Sequence, residues 1–324
     1  MMPMSNIEET GVNAKSIHEP VLLHEVVDLL AVASGATIVD ATLGLGGHTE
    51  ALLEAVGPQG RVLGIDRDSQ ALELARQRLA HFGDRFVALH GNHTDLLKLL
   101  RHNGAFAVDG VLFDLGVSSL QLDDPERGFS FRGDGPLDMR MDRQSGVTAE
   151  EILASSSEQE LRQLIWRYGE ERRSGAIARA IVAQREIQPL TRTTELAELV
   201  RRVLGPAAQR YRIHPATRTF QALRIAVNRE VDDLERLVTE ATSVLRRAGR
   251  LAVISYHSLE DRAVKHSMKS LAERCVCPPK LPVCGCGREN LLKIVTGKPV
   301  RPTTSEITRN PRARSAKLRV GERL

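Results

Sequence analysis

Three stretches of the 324-residue chain carry side chains that could meet a ligand. The first, Asp40-Ala-Thr-Leu-Gly44-Leu-Gly46-Gly47-His48, combines a carboxylate with closely spaced glycines. Glycines let a ligand approach the backbone, and a helix beginning there offers unpaired N–H groups, so this is a cradle for a nucleotide-type cofactor. It is not the dinucleotide fingerprint G-x-G-x-x-G, because Thr49 stands three residues after Gly46. The second is Asp66, placed to accept hydrogen bonds from both ribose hydroxyls of an adenosine; a capping role before Ser69 is the plainer alternative. The third is Asp114.

These residues need a scaffold that brings them together. Ala36 to Ala41, Arg61 to Asp66, Arg85 to His90 and Val108 to Asp114 are apolar, β-branched runs that each end in a polar residue or a turn. Between them, His48 to Val56, Ser69 to His81 and Thr94 to Asn103 have helical spacing, with Ser69 and Thr94 as expected N-caps. Alternating β and α predicts a parallel, doubly wound sheet. Such sheets bind ligands outside the carboxyl ends of their strands, so Gly46, Asp66 and Asp114 converge on one crevice. A nicotinamide dinucleotide and S-adenosylmethionine would both satisfy it.

After Asp114 the alternation stops, and the next convincing strand is Arg250 to Tyr256. The intervening chain is helical from Thr148 to Leu204, and one long amphipathic helix is predicted from about Phe220 to Ala248, stopped by Gly249. Residues 121–215 read as an inserted, mostly helical substrate-recognition domain between a first core segment, 1–120, and a second, 216–324. After Tyr256 the pattern predicts a helix (Leu259 to Arg274), a cysteine loop and two strands (Leu291 to Thr296, Ala316 to Val320). These would form an antiparallel edge hairpin.

The chain closely resembles the MraW/RsmH family, bacterial enzymes that methylate the exocyclic amine of a cytidine in 16S ribosomal RNA with S-adenosylmethionine. The resembling segments are HEPVLLHEVVDLL (from His18), DATLGLGGHT (from Asp40), GIDRD (from Gly64), FDLGVSSLQLDDPERGFSFRGDGPLDMRMD (from Phe113), YGEER (from Tyr168), HPATRTFQALRIAVN (from His214), SYHSLEDR (from Ser255) and NPRARSAKLR (from Asn310). They run in the family's order along nearly the whole chain. The resemblance implies a Rossmann-like class I methyltransferase sheet. It also implies that Gly46, Gly47 and His48 contact the cofactor, that Asp66 holds its ribose, and that Asp114 and Gln121 line its adenine and methionine ends. A further cofactor position, often Phe in relatives, falls on His93.

Methyl transfer from a sulfonium is mainly a problem of alignment. The cytosine amine is a poor nucleophile because its lone pair is delocalised into the ring, so an acceptor for its N–H proton would help. Asp114 ranks first for that role, followed by Ser118, Ser119 and Asp138. Phe129 and Phe131 could stack on a flipped-out cytosine, with core packing the alternative. No cysteine nucleophile is required, and none lies near the crevice in sequence.

Composition limits the remaining choices. Only 3% of residues are aromatic, too few for an extended platform that stacks single strands. The net charge of +4 is a sum of −10 over the first 150 residues and +14 over the rest, so the second part is the one suited to phosphate. Arg212, His214, Arg218, Arg224 and Arg229 form one basic set, with a solvated, Glu-paired helix face as the alternative. Arg309, Arg312, Arg314, Lys317 and Arg319 form another, with Glu306 and Glu322 the acids nearest in sequence. Cys275, Cys277, Cys284 and Cys286 lie in two C-x-C pairs. Structural zinc sites usually use C-x₂₋₄-C, so reduced thiols are expected and no metal is counted, zinc being the alternative. The N-terminus has no basic-then-apolar leader and no apolar run suggests a span, so a cytoplasmic protein is expected, its partner 16S RNA in the small ribosomal subunit or its precursor. Two other classes share parts of the pattern. A nicotinamide-dependent oxidoreductase would want a third glycine and leaves the basic half unexplained. A non-catalytic RNA-binding assembly factor would not need Gly46, Asp66 and Asp114 intact.

Overall fold

The computed structural model describes residues 20–206, 213–273, 277 and 289–324. The four β-branched runs become parallel strands β1 (Thr37–Asp40), β2 (Arg61–Asp66), β3 (Phe86–His90) and β4 (Val108–Asp114). Helices α1 (Leu23–Leu30), α2 (Gly47–Val56), α3 (Ser69–Leu79) and α4 (Leu96–His102) flank them. Two caps differ from expectation. Asp68 rather than Ser69 caps α3, accepting from Gln70 N at 3.1 Å, and Asn92 rather than Thr94 caps the turn before α4, accepting from Thr94 N at 3.1 Å. In each case the Asp or Asn is the last extended residue and reaches the N–H two positions on, as a cap must.

The chain continues through α5 (Ser119–Asp123), α6 (Ala149–Ser155), α7 (Glu158–Gly169), α8 (Ser174–Ile187), α9 (Thr193–Leu204), α10 (Thr217–Asn228) and α11 (Leu234–Val244). It then forms β5 (Leu245–Ser255), α12 (Ser258–Ala272), β6 (Leu292–Ile294), α13 (Thr304–Arg309) and β7 (Lys317–Arg323). The seven strands lie in the order β3-β2-β1-β4-β5-β7-β6, all parallel except β7, which runs antiparallel to both its neighbours. The expected edge hairpin is therefore present. The sheet's apolar residues point to two cores, because helices cover both faces. Val39, Leu63, Ile65 and Phe113 pack in the core that contains α4, α11 and α12, and Ile38, Val62 and Leu112 in the one that contains α1, α2 and α3. A third core, built from Leu153, Leu161, Ile165, Ile177, Ile181, Val200, Phe220 and Leu223, belongs to the helices between β4 and β5.

The single helix expected from Phe220 to Ala248 is two. α10 is capped by Arg229, which takes a left-handed conformation (φ 52°), and α11 starts at Leu234. Phe220 and Leu223 pack in the helical core, whereas Leu234, Leu237 and Val238 pack on the sheet. One apolar stripe therefore serves two different cores, and no glycine or proline marks the joint. Gly249 is not a helix stop either. β5 already begins at Leu245 and bulges against β4, and a Cβ on Gly249 would meet Arg246 O and Asp109 O at 2.9 Å each. Among the described residues, no helix is long and apolar enough to cross a membrane.

Candidate active site

Register places three carboxylates at one edge. Asp40 pairs with Gly64, Asp66 with His90 and Asp114 with Ile254, so all three close the C-terminal ends of the adjacent strands β2, β1 and β4. Between β1 and β4 the strand order reverses, which is where open α/β sheets bind ligands. Asp40 organises the glycine loop from below: it is 1% exposed and accepts from Thr49 Oγ1 (2.8 Å) and Thr42 N (3.2 Å). Gly46 caps α2 in a left-handed conformation (φ 78°), and a Cβ on Gly47 would meet Pro20 at 2.5 Å, so neither position admits a side chain without rearrangement. Asp66 accepts from Gly44 N (2.7 Å) and Asp68 N (2.8 Å), tying the loop to the end of β2.

Asp114 has the most distinctive surroundings. Its Oδ1 accepts from the Tyr256 hydroxyl at 2.8 Å, and its Oδ2 lies 3.7 Å from His48 Nδ1. His48 Nε2 is 3.0 Å from Val21 O, and since a carbonyl can only accept, Nε2 carries a proton there. A quarter of the Asp114 side chain remains open to the surface. Desolvation pushes this carboxyl up to about 6, against the opposing pull of His48 and the Tyr256 hydrogen bond. Desolvation also raises Asp40 and Asp66 above the usual carboxylate range. Three desolvated carboxylates at one edge favour a cationic occupant.

The residues expected to flank the crevice are linked through one that sequence reasoning missed. Gln121 Nε2 donates to Asp68 Oδ2 (3.0 Å), and the same oxygen accepts from Arg127 Nη1 (2.8 Å) in an ion pair whose two side chains are 2% and 6% exposed. Ser118 caps α5 in a reciprocal box, its Oγ accepting from Gln121 N and its N–H donating to Gln121 Oε1. Ser118 therefore orients Gln121. His93 packs edge-on against Phe113, with ring centroids 6.2 Å apart, and burial and the charge of Arg67 push it down to about 4, so its ring is neutral at physiological pH. Burial pushes Asp138 up, but its Arg140 hydrogen bonds (2.8 and 3.0 Å) and charge outweigh that and hold it below the usual range. A carboxylate so paired is a weak proton acceptor.

Phe129 is buried in the helical core, and Phe131 is half-buried against His214 and Phe220 at centroid distances of 4.4 and 4.9 Å. The basic sets are largely partnered. Arg224 makes a buried bidentate pair with Glu230 (2.9 and 2.8 Å), and Arg319 and Lys317 converge on Asp261 (2.7 and 3.1 Å). Arg312 binds Asp123, Arg229 lies 3.6 Å from Asp232, and Arg218, itself 39% exposed, is 3.6 Å from Glu171. Arg314 is exposed. Arg212, Cys275, Cys284 and Cys286 lie outside the described residues; Cys277 is partly buried.

Residues 15–324 match the model of the MraW methylase family. The chain belongs to this family. Its relatives include proteins named ribosomal RNA small subunit methyltransferase H from Thermomicrobium roseum, 52% identical over 95% of this chain and 94% of that one, and from Trichlorobacter lovleyi, 52% identical over 95% and 98%. A weaker likeness runs to the solved structure of Aeropyrum pernix fibrillarin with natively bound S-adenosyl-L-methionine (TM-score 0.39, 11% identity, covering 92% of this chain and 74% of that one).

MraW membership carries with it the S-adenosylmethionine dependence implied from the sequence, and the residues present fit that cofactor. Its sulfonium and ammonium charges would relieve the desolvated carboxylates at the edge, and the glycine loop leaves backbone open beside Asp66. Replacing Asp66 by Ala is expected to weaken cofactor binding by about 10- to 100-fold, the worth of one charged hydrogen bond at roughly 1.5–3 kcal/mol. Calorimetric titration checks this, and an unchanged Kd would place the ribose elsewhere.

Proposed function

We propose that this chain transfers the methyl group of S-adenosylmethionine to the exocyclic N4 amine of a cytidine in 16S RNA of the small ribosomal subunit or its precursor. The observation that carries the reading is Asp114: a carboxylate at the switch point, raised to about 6, with one oxygen held by Tyr256 and the other 3.7 Å from His48 Nδ1, beyond hydrogen-bond reach, on a side chain a quarter open to the surface. The relatives' name supplies the RNA. The cofactor supplies an activated methyl group. Asp66 would hold the ribose, Gly46, Gly47 and His48 would contact the cofactor along the loop, Asp114 and Gln121 would line its adenine and methionine ends, and His93 would offer it a neutral ring. Asp114 Oδ2 accepts an N–H of the amine and so keeps the nitrogen lone pair directed at the methyl carbon. Phe131, partly open at the rim of the helical layer, is the better placed of the two phenylalanines to meet an extruded base. The inserted segment, residues 121–215, together with α10, which shares its core, presents the RNA.

Nucleoside mass spectrometry decides the acceptor atom. Small-subunit RNA from a deletion strain, incubated with the enzyme and S-adenosylmethionine, is expected to yield N4-methylcytidine at one site. A product methylated on the ring carbon or the ribose would overturn the reading, and no transfer at all would favour a non-catalytic assembly factor.

Affinity for the RNA should depend on phosphate, because stacking surface is scarce. With three or four phosphate contacts from Arg218, Arg314 and their neighbours, log K against log salt is expected to fall with a slope of about −2 to −3. A filter-binding series across salt concentrations measures it. A nearly flat series would remove the phosphate contacts.

A further inference from the structure

Behind Tyr256 lies a buried group of charges that the reaction does not touch. Glu230, His257 and Glu260 bring one ligand-type atom each within 4.8 Å of the others, and His257 Nε2 is buried with no aligned hydrogen-bond partner, 3.1 Å from Glu260 Oε1 and 4.0 Å from Glu230 Oε2. A metal there would have to displace bonds that most of the triad's oxygens already make. Arg224 takes both oxygens of Glu230, and Glu260 Oε2 accepts the backbone N–H of Tyr256 (2.8 Å) and of His257 (3.3 Å). The Arg224 guanidinium already supplies the positive charge that Glu230 needs.

The connections run toward the active site. Glu260 is 1% exposed and clamps the two residues that lead into α12, while His257 Nδ1 accepts from Glu260 N at 3.3 Å, closing the box. The clamped Tyr256 crosses to Asp114 Oδ1, its ring against Gly116, where a Cβ would stand 3.4 Å from Tyr256 Cδ2. Arg224 belongs to α10 of the helical layer. The same layer reaches α12 again through Glu170, whose carboxylate accepts from Ser258 Oγ at 2.7 Å.

We propose that Glu260, backed by Arg224, Glu230 and His257, is a positioning residue that fixes the Tyr256 hydroxyl on Asp114 Oδ1, so that the seating of the helical layer sets which way the second oxygen of Asp114 faces. This rests on the assignment of Asp114 as proton acceptor. The network acts through Tyr256 and touches neither substrate nor cofactor.

A mutant cycle tests it. Tyr256→Phe and Glu260→Gln are each expected to lower kcat by about 10²-fold, the cost of a misaligned catalytic group, with the Kd for S-adenosylmethionine within twofold. Because Tyr256→Phe removes the hydrogen bond through which Glu260 acts, the double variant should be no slower than Tyr256→Phe alone. Independently of activity, ¹³C NMR of the Asp114 carboxyl should show its titration moving upward in Tyr256→Phe and in Arg224→Lys, which leave the charge of Glu260 in place, since the bond that favours the ionised form is lost in one and displaced in the other; Glu260→Gln also removes a negative charge that raises Asp114, and is read by kinetics alone. Arg224→Lys keeps the charge but not the bidentate grip, and serves the same comparison if Glu260→Gln does not fold. Multiplying losses in the double variant, an unmoved Asp114 titration in Arg224→Lys, or a stoichiometric metal in the wild type that Glu230→Gln releases would each overturn the proposal. Failure of the wild type to methylate RNA would instead count against the proposed function and leave the NMR comparison standing.

Discussion

Asp114→Asn is expected to lower kcat by about 10²- to 10⁴-fold, the usual worth of a positioned proton acceptor, while S-adenosylmethionine still binds. Asn keeps the shape and an oxygen for the Tyr256 hydroxyl, but it offers the cytosine amine no charge to favour loss of its proton. The pH profile adds a second signature. In the free enzyme Asp114 is held near 6, so kcat/KM for the cofactor should fall tenfold per unit below about pH 6 as the carboxylate is neutralised. That acidic limb should vanish in the variant.

Stability should move the other way. A carboxyl raised in the folded state costs nothing below its unfolded value of 3.8, costs progressively more as pH rises toward 6, and costs the full amount above. The shift corresponds to roughly 2–3 kcal/mol, an upper value because the side chain is partly exposed. Asp114→Asn removes this cost and is expected to raise Tm at pH 8 while leaving it nearly unchanged at pH 4. An inactive variant that was also less stable at pH 8 would mean that the substitution damages the fold, and the kinetic loss would then say nothing of proton transfer.

The edge of the sheet was legible because it is local. Each β-branched run stops at a polar residue, and strand direction then carries Asp40, Asp66 and Asp114 to the same side. The partners of those residues were not legible. Tyr256 lies 142 residues from Asp114 and Arg127 59 from Asp68, and no periodicity encodes such pairings. The basic residues mislead for a related reason. A surplus of positive charge along the chain does not reveal that Arg224, Arg312, Lys317 and Arg319 each find a carboxylate in the fold, Asp261 alone taking two of them.

Arg127→Met is expected to lower Tm by about 10 °C, the equivalent of roughly 3–5 kcal/mol in a chain of this size. The reason is the charge it abandons. Arg127 Nη1 binds Asp68, and Nη2 binds the carbonyls of Met141 (2.9 Å) and Arg140 (3.2 Å), so one guanidinium joins the turn after β2 to the segment that leads into the helical layer. Without it, Asp68 keeps only the neutral donors Gln121 Nε2 and Gln70 N in a site closed to water. A buried pair is worth little against apolar replacements but costs much to break on one side. Asp68→Asn keeps the cap oxygen and removes the charge, so the double variant Asp68→Asn/Arg127→Met should recover a large part of the loss. Thermal unfolding of the two single variants and the double measures the coupling. If the double is as unstable as the sum of the singles, the cost of Arg127→Met lies in lost packing and in the freed carbonyls, and the ion pair is not what holds the helical layer to the sheet.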